Sequence, residues 1–509
     1  MKKAVVLPIV AAVSGALLGC GGGGGGTPPP TYQPKNVTWN FVEPYQVTET
    51  DLGNCSIFYH HIAEDEFEED YFVAARIATS GYKVLFHNAD GSIEEDMTIV
   101  GSSNGSITFD WKKVPEDGYV SIEENSGLNA GNRESYITSF AKDLVTNMTL
   151  SVRSFQDGNS CVTNETYTRL NFDENAHVRF SSAGSYEYFQ TSSSKSQVTG
   201  GDRIQGDIPV YSELRAKERK LGTSFSEYDA STGKYNGFVS YAVFDQAYIY
   251  DVSDSSVVPN PVLMDDTKHT PFDFITDSNI SFQSGSVSVV LDSKVYSWQE
   301  IFDQDSGVTN SAFVESDGNL KFWSLSAMGT SSESTGSWDL GLIRALSGQD
   351  VYFEQPTYLS DFSSSIVKES CSQGDLCLDA YGFYSEDWNI QRTHVRAVTR
   401  TGKSAFQTIY ALPDVEQPLM DSSTETIVAS NDDKVLVTLA KFDDLEAADV
   451  AQFVAYNSFD IDTLSDKDIN PNTHQYDVNG VVLGEAGLDK LNQSIMQGHY
   501  EFAKNSINW

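Results

Sequence analysis

Asp466, Asp468, Asn470, Asn472 and Asp477 place five oxygen-bearing side chains in one short stretch near the C-terminus. Alternating Asp and Asn can turn several hard oxygens toward a single Ca²⁺, and Asp477 stands where the last ligand of a calcium loop belongs. Pro471 occupies the position where such a loop needs glycine, and Asp replaces the usual bidentate Glu. The competing reading is a hydrated turn built on Asx side chains. Asp303-Gln304-Asp305-Ser306-Gly307 is a shorter version of the same pattern. His60 and His61, followed by Glu64, Asp65 and Glu66, supply nitrogen and oxygen ligands, yet the spacing offers no third anchor for a transition metal.

Gly101-Ser102-Ser103-Asn104-Gly105 has the G-x-S-x-G spacing of a nucleophile elbow, whose serine sits on a sharp turn from strand into helix. Here the residues that follow, Ser106 to Trp111, read as a strand, which favours a plain Ser/Gly turn. Trp323, Trp338, Trp388, Tyr381 and Tyr384 are the residue types that stack on sugars. They also fill the cores of sheet proteins.

These residues belong to a chain with an export address. Met1-Lys2-Lys3 is a positive start, Ala4 to Leu18 is apolar but too short to span a bilayer, and Leu17-Leu18-Gly19-Cys20 follows. The segment resembles the lipobox of bacterial lipoproteins. The resemblance implies cleavage before Cys20, lipid on its thiol, and a membrane as the first partner. Gly21, rather than Asp, after the cysteine implies delivery to the outer membrane, on its cell-surface or periplasmic face. Gly21 to Gly26 and Thr27-Pro28-Pro29-Pro30 then read as a flexible tether running into a stiffer spacer.

The formal charge of −39 repels nucleic acid and anionic lipid, which excludes a nucleic-acid partner. No apolar run after Leu18 approaches the length of a spanning helix. Four cysteines remain after Cys20, an even number that reads as two disulfides in an oxidising compartment. Cys371 and Cys377 enclose a short polar turn, which pairs Cys55 with Cys161. Arithmetic leaves the other two pairings open.

The elements that must position these residues are strands. Tyr82 to Phe86, Ser106 to Trp111, Tyr119 to Glu123, Thr149 to Phe155, Phe238 to Phe244, Ser286 to Val290, Leu320 to Trp323, His394 to Thr399 and Val435 to Leu439 are short and rich in β-branched or aromatic residues. Clusters such as Asn88-Ala89-Asp90-Gly91 punctuate them. The expected fold is mainly β, with tandem antiparallel sandwich-like domains and a small α-helical C-terminal segment. Helices are expected at Pro209 to Leu221, with Glu213, Lys217, Glu218 and Lys220 on a solvated face, at Phe442 to Tyr456, and at Gly484 to Ile507.

The expected divisions are a signal over 1–19, a tether over 20–36, a sandwich over 37–161, a large β-rich region over 162–430 and an α+β segment over 431–509. Within 37–161, Tyr82 to Ser92, Gly105 to Phe109 and Val114 to Ile122 resemble the strand, turn and V-P-x-G rhythm of immunoglobulin-like or transthyretin-like domains. That resemblance implies a fold and no active site.

The function this supports is a lipid-anchored envelope protein that binds or scaffolds a protein or glycan partner without catalysis. The alternative is a structural subunit of the envelope or of a surface appendage. A secreted hydrolase is a third reading, for which no paired carboxylates or credible nucleophile stands out in the sequence.

Overall fold

The computed structural model describes residues 35–61, 71–94, 99–100, 102–126, 134–152, 160–163, 175–181, 188–193, 197–199, 207–210, 218–229, 234–265, 269–301, 308–314, 320–333, 335–359, 363–370, 376–384, 387–399, 404–412, 417–423, 427–428, 434–457 and 480–508. The chain is mainly β, as expected, and a strand lies at or overlaps each of the nine read from the sequence, though the one expected at Thr149 to Phe155 is Met148–Ser151, with 153–155 outside the described residues. Alternation explains why. In Tyr82–His87, the residues Tyr82, Val84 and Phe86 line one core while Lys83, Leu85 and His87 face the other side.

A thirteen-stranded sheet runs through the molecule. In order it contains Lys294–Ile301, Ile280–Leu291, Leu320–Glu333, Gly336–Ala345, His499–Asn508, Lys434–Asp443, Ile390–Thr399, Ser404–Ala411, Glu134–Ala141, Tyr119–Ser126, Tyr82–His87 and Ile99–Val100, with Ile427–Val428 beside Ile390–Thr399. Its pairings are antiparallel except that of Ser404–Ala411 with Glu134–Ala141, where residues early and late in the chain meet in parallel. A second sheet, made of Asn36–Val47, Ile57–His61, Tyr71–Ile77, Ser106–Asp110 and Met148–Ser151, covers one end of the first.

Residues 37–161 thus supply two facing layers, as a sandwich requires, and one of these layers continues into the C-terminal strands. Trp39 lies between the layers. It meets Phe109 at 5.4 Å and Phe140 at 5.9 Å, both edge to face, and Phe86 meets Phe109 at 5.4 Å in the same way. Each such buried ring contributes about 1.5–3 kcal/mol by leaving water. On the other face, Trp298 is the centre of a larger core, with Phe238 at 4.8 Å, Tyr241 at 5.5 Å and Trp323 at 5.6 Å.

The helices differ in part from expectation. Ala447–Asn457 is helical and buries Val450, Ala451, Val454 and Ala455, but Phe442 and Asp443 end the preceding strand. Glu485–Met496 is helical, and the expected continuation to Ile507 is instead the strand His499–Asn508. Phe502 lies seven residues after Ile495, which suits a helix face, but Tyr500 and Phe502 also alternate with Glu501 and Ala503. The strand pairs on both sides, with Gly336–Ala345 and Lys434–Asp443, and Gly498 before it lets the chain pass close to Leu445 and Asp443, where a Cβ would lie 2.6 Å from the Leu445 side chain and 2.8 Å from the Asp443 carbonyl.

The expected helix from Pro209 to Leu221 is bounded by strands, Asp207–Pro209 and Lys220–Asp229, and residues 211–217 lie outside the described residues. Glu218 and Lys220 are buried rather than solvated. Lys220 pairs with Phe244 in the sheet, and its amine donates to the Glu218 carbonyl at 3.2 Å.

Candidate functional site

Cys55 is bonded to Cys161 with their Cα atoms 5.5 Å apart. The bond ties the start of the Ile57–His61 strand to a segment that itself joins the sheet, with Val162 N–H donating to Ala75 O at 2.8 Å and Ser56 N–H to Val162 O at 2.7 Å. Cys377 lies in the strand Leu376–Tyr384, opposite Glu369. Cys20, Cys371 and the oxygen-rich run Asp466, Asp468, Asn470, Asn472 and Asp477 lie outside the described residues, as do Glu64 to Glu66 and Asp303 to Gly307. His60 and His61 belong to the edge strand Ile57–His61.

Of the G-x-S-x-G stretch, Gly101 lies outside the described residues and 102–105 form a turn. The Ser102 hydroxyl donates to the Ser106 carbonyl at 2.6 Å, Gly105 has φ +65°, and a strand follows. Trp323, Trp338 and Trp388 are not sugar platforms, since all three are buried among core side chains. Tyr381 and Tyr384 lie on the strand Leu376–Tyr384, and their side chains are outside the described residues.

A cluster the sequence did not reveal lies at one end of the large sheet. Strand alternation points Lys83, His87, Ser121, Glu123, Ser139 and Gln407 to the same face, and the segment Gln417–Ser423 crosses over them. The His87 ring is fully buried. Its Nε2 lies 3.0 Å from the Asp421 carbonyl oxygen and its Nδ1 2.8 Å from the Ser121 hydroxyl. A carbonyl only accepts, so Nε2 carries the hydrogen and Nδ1 accepts from Ser121. Ser139 then donates to Ser121 at 2.7 Å.

A hydroxyl that donates to the free imidazole nitrogen is the order of an activated serine, but Ser121 and His87 are both fully buried beneath the crossing segment, so neither faces a substrate. Burial pushes the His87 imidazole below its usual range, against the pull of Asp421 and Glu123. Burial raises the Asp421 carboxyl, while His87 opposes the rise.

Four further residues, Glu123, Lys83, Gln407 and Gly91, tie the crossing segment down. The buried Glu123 carboxylate accepts from the Ser422 hydroxyl at 2.6 Å, the Ser423 amide at 3.0 Å and the Ser423 hydroxyl. Lys83 donates to the Ser423 hydroxyl at 2.6 Å. Gln407 grips the main chain of Met420 with both ends of its amide, accepting at 3.1 Å and donating at 2.8 Å. The Asp421 amide donates to Gly91 O at 3.0 Å.

A second polar cluster lies farther along the same face. Arg344, His499 and Asp443 form one cross-strand row, and Leu342, Glu501 and Lys441 form the next but one. His499 Nδ1 is 3.8 Å from Asp443 and its Nε2 is 3.7 Å from Glu501. Opposite ring nitrogens face different carboxylates, so the three groups cannot converge on one ion. Among the described residues no group of three or more His, Cys, Asp or Glu side chains could hold a metal. Burial lowers the His499 imidazole, with Arg344 adding to the effect, and burial raises the Glu501 carboxyl.

Two surface features remain. Lys35, where the described chain begins, holds its ammonium 4.1 Å above the Trp111 ring, and Lys142 lies 5.0 Å from the same ring. The Lys35 amide donates to Asp110 Oδ1 at 3.1 Å and its carbonyl accepts from Trp111 N–H at 2.8 Å. Elsewhere, the loop from Tyr248 to Leu263 exposes Tyr248, Val252, Val257, Val258 and Leu263, with Val258 at 86%. Asp245, Asp251 and Asp254 cap its turns through Ala247, Ser253 and Ser256.

No protein family, curated protein or solved structure matches the chain.

Proposed function

We propose that this is a lipid-anchored protein of the bacterial cell envelope that binds or scaffolds a partner without catalysis. The observation that carries the reading is the Cys55–Cys161 bond, since structural disulfides persist in compartments outside the cytoplasm. It agrees with the export segment that ends at Cys20 and with the Gly/Pro tether that follows.

A binding role draws support from the loop Tyr248–Leu263, where apolar side chains stand in water on a scaffold of sheets. Burial of Trp323, Trp338 and Trp388 removes the leading stacking platforms for a sugar, so a protein partner is favoured over a glycan. The same exposed apolar loop suits the alternative of a structural subunit that assembles with others.

Protease treatment of intact and permeabilised cells, read with an antibody to the mature chain, tests the placement. Digestion on intact cells supports a surface-displayed binder, and protection until the outer membrane is opened supports a periplasmic scaffold. Recovery of the protein in the cytoplasmic fraction would overturn both.

A further inference from the structure

The segment Gln417–Ser423 lies far from the N-terminal hairpin in sequence, yet the polar groups that hold it include a buried imidazole. His87 is fully buried, and its two nitrogens have fixed and opposite duties toward the strap and the sheet. We propose that this segment is an acid-released strap, in which protonation of His87 loosens residues 417–423 from the end of the large sheet. The proposal does not depend on lipid at Cys20.

The geometry gives the reason. A second proton must enter at Nδ1, where Ser121 now donates. Ser121 must then turn to accept, and its own hydrogen must pass toward Ser139, so the hydroxyl chain reverses. The imidazolium would still be out of water. Opening the strap hydrates it, at the expense of the contact between Nε2 and the Asp421 carbonyl.

The other groups around the ring modulate this exchange. Asp421 on the strap and Glu123 on the neighbouring strand attract the imidazolium. Lys83 lies 3.9 Å from Glu123 and offsets part of that attraction. Tyr119 pairs with His87 in the sheet, and burial pushes its phenol up to about 12, so it stays neutral. Asp90, on the hairpin turn, is held ionised by Ser92 and raises the Asp421 carboxyl.

The sign follows from burial of the neutral ring. With the closed-state value of His87 below the ordinary 6.5, closure is fully favoured above about pH 6.5 and weakens as pH falls, by up to about tenfold per pH unit. Asp421 works the other way, because its raised carboxyl favours the closed state at low pH. The release window therefore lies below pH 6.5 and above the range in which Asp421 takes up its proton.

Amide hydrogen exchange on the mature full-length protein, corrected for intrinsic rates, tests this between pH 7.5 and 5. The amides of Asp421 and Ser423 are expected to lose protection severalfold from pH 6.5 to 5.5 while those of Ser286–Val290 hold theirs. In His87→Gln, whose amide can still donate to the Asp421 carbonyl, the strap is expected to show no such step. Asp421→Asn is expected to keep it.

A flat profile in the unsubstituted protein, a step that persists in His87→Gln, or a step lost only in Asp421→Asn would each overturn the proposal. Should His87→Gln fail to fold, ring titration of His87 by NMR in the unsubstituted protein decides. The ring and the strap amides must share a midpoint, and separate midpoints overturn it.

Discussion

The imidazole of His87 donates to the main-chain carbonyl of Asp421 at 3.0 Å, although 334 residues separate them. The same end of the molecule holds the parallel pairing of Glu134–Ala141 with Ser404–Ala411. N-terminal and C-terminal parts of the chain therefore share one sheet, one core and one polar cluster, and substitutions in either should be felt in both.

Gly91 is the tightest point of that contact. It has φ +81°, and a Cβ there would lie 2.5 Å from the Leu419 carbonyl. Gly91→Ala is expected to destabilise the protein by more than about 1 kcal/mol. Denaturant titration should show the loss, and hydrogen exchange should place it first in residues 417–423.

The Cys55–Cys161 bond closes a loop with a sequence separation of 106. Replacing both cysteines with alanine is expected to cost about 2–5 kcal/mol. Thermal melting with and without reductant checks this, and an unchanged midpoint would mean that the bond does not support the fold.

Glu501 gives a pH dependence of the opposite sign to that of His87. Burial raises its carboxyl in the folded state. Its contribution is therefore fully present below the unfolded value of about 4.3 and is lost as pH rises through the folded one. Glu501→Gln is expected to raise the melting temperature at pH 7 and to converge with the unsubstituted protein near pH 4. A variant less stable at pH 7 would show that attraction to His499 and Lys441 outweighs burial.

Trp298 packs against Phe238, Tyr241 and Trp323, and its indole donates to the Ala312 carbonyl at 2.9 Å. Trp298→Ala is expected to cost about 3–5 kcal/mol. The loss should appear in far-ultraviolet circular dichroism as a lowered melting midpoint.

Much of the sheet was legible because period-two alternation survives in short segments such as Tyr82–His87 and Val435–Leu439. The C-terminal strand is not legible because Phe502 satisfies a helical and a strand period at once, and the sheet partners on either side, Gly336–Ala345 and Lys434–Asp443, are distant in sequence. The His87 cluster was not legible, since its members lie on five separate segments and none forms a local motif. One signal was present. Ser121 and Glu123 alternate with Val120 and Ile122, which marks a strand with a polar side that still had to be covered.

Mass spectrometry of the mature N-terminal peptide tests the proposed lipid anchor most directly. The expected result is a chain that begins at Cys20 and carries a diacylglyceryl thioether with an acylated amine. A chain that retains Met1, or one whose Cys20 is a free thiol, would contradict it.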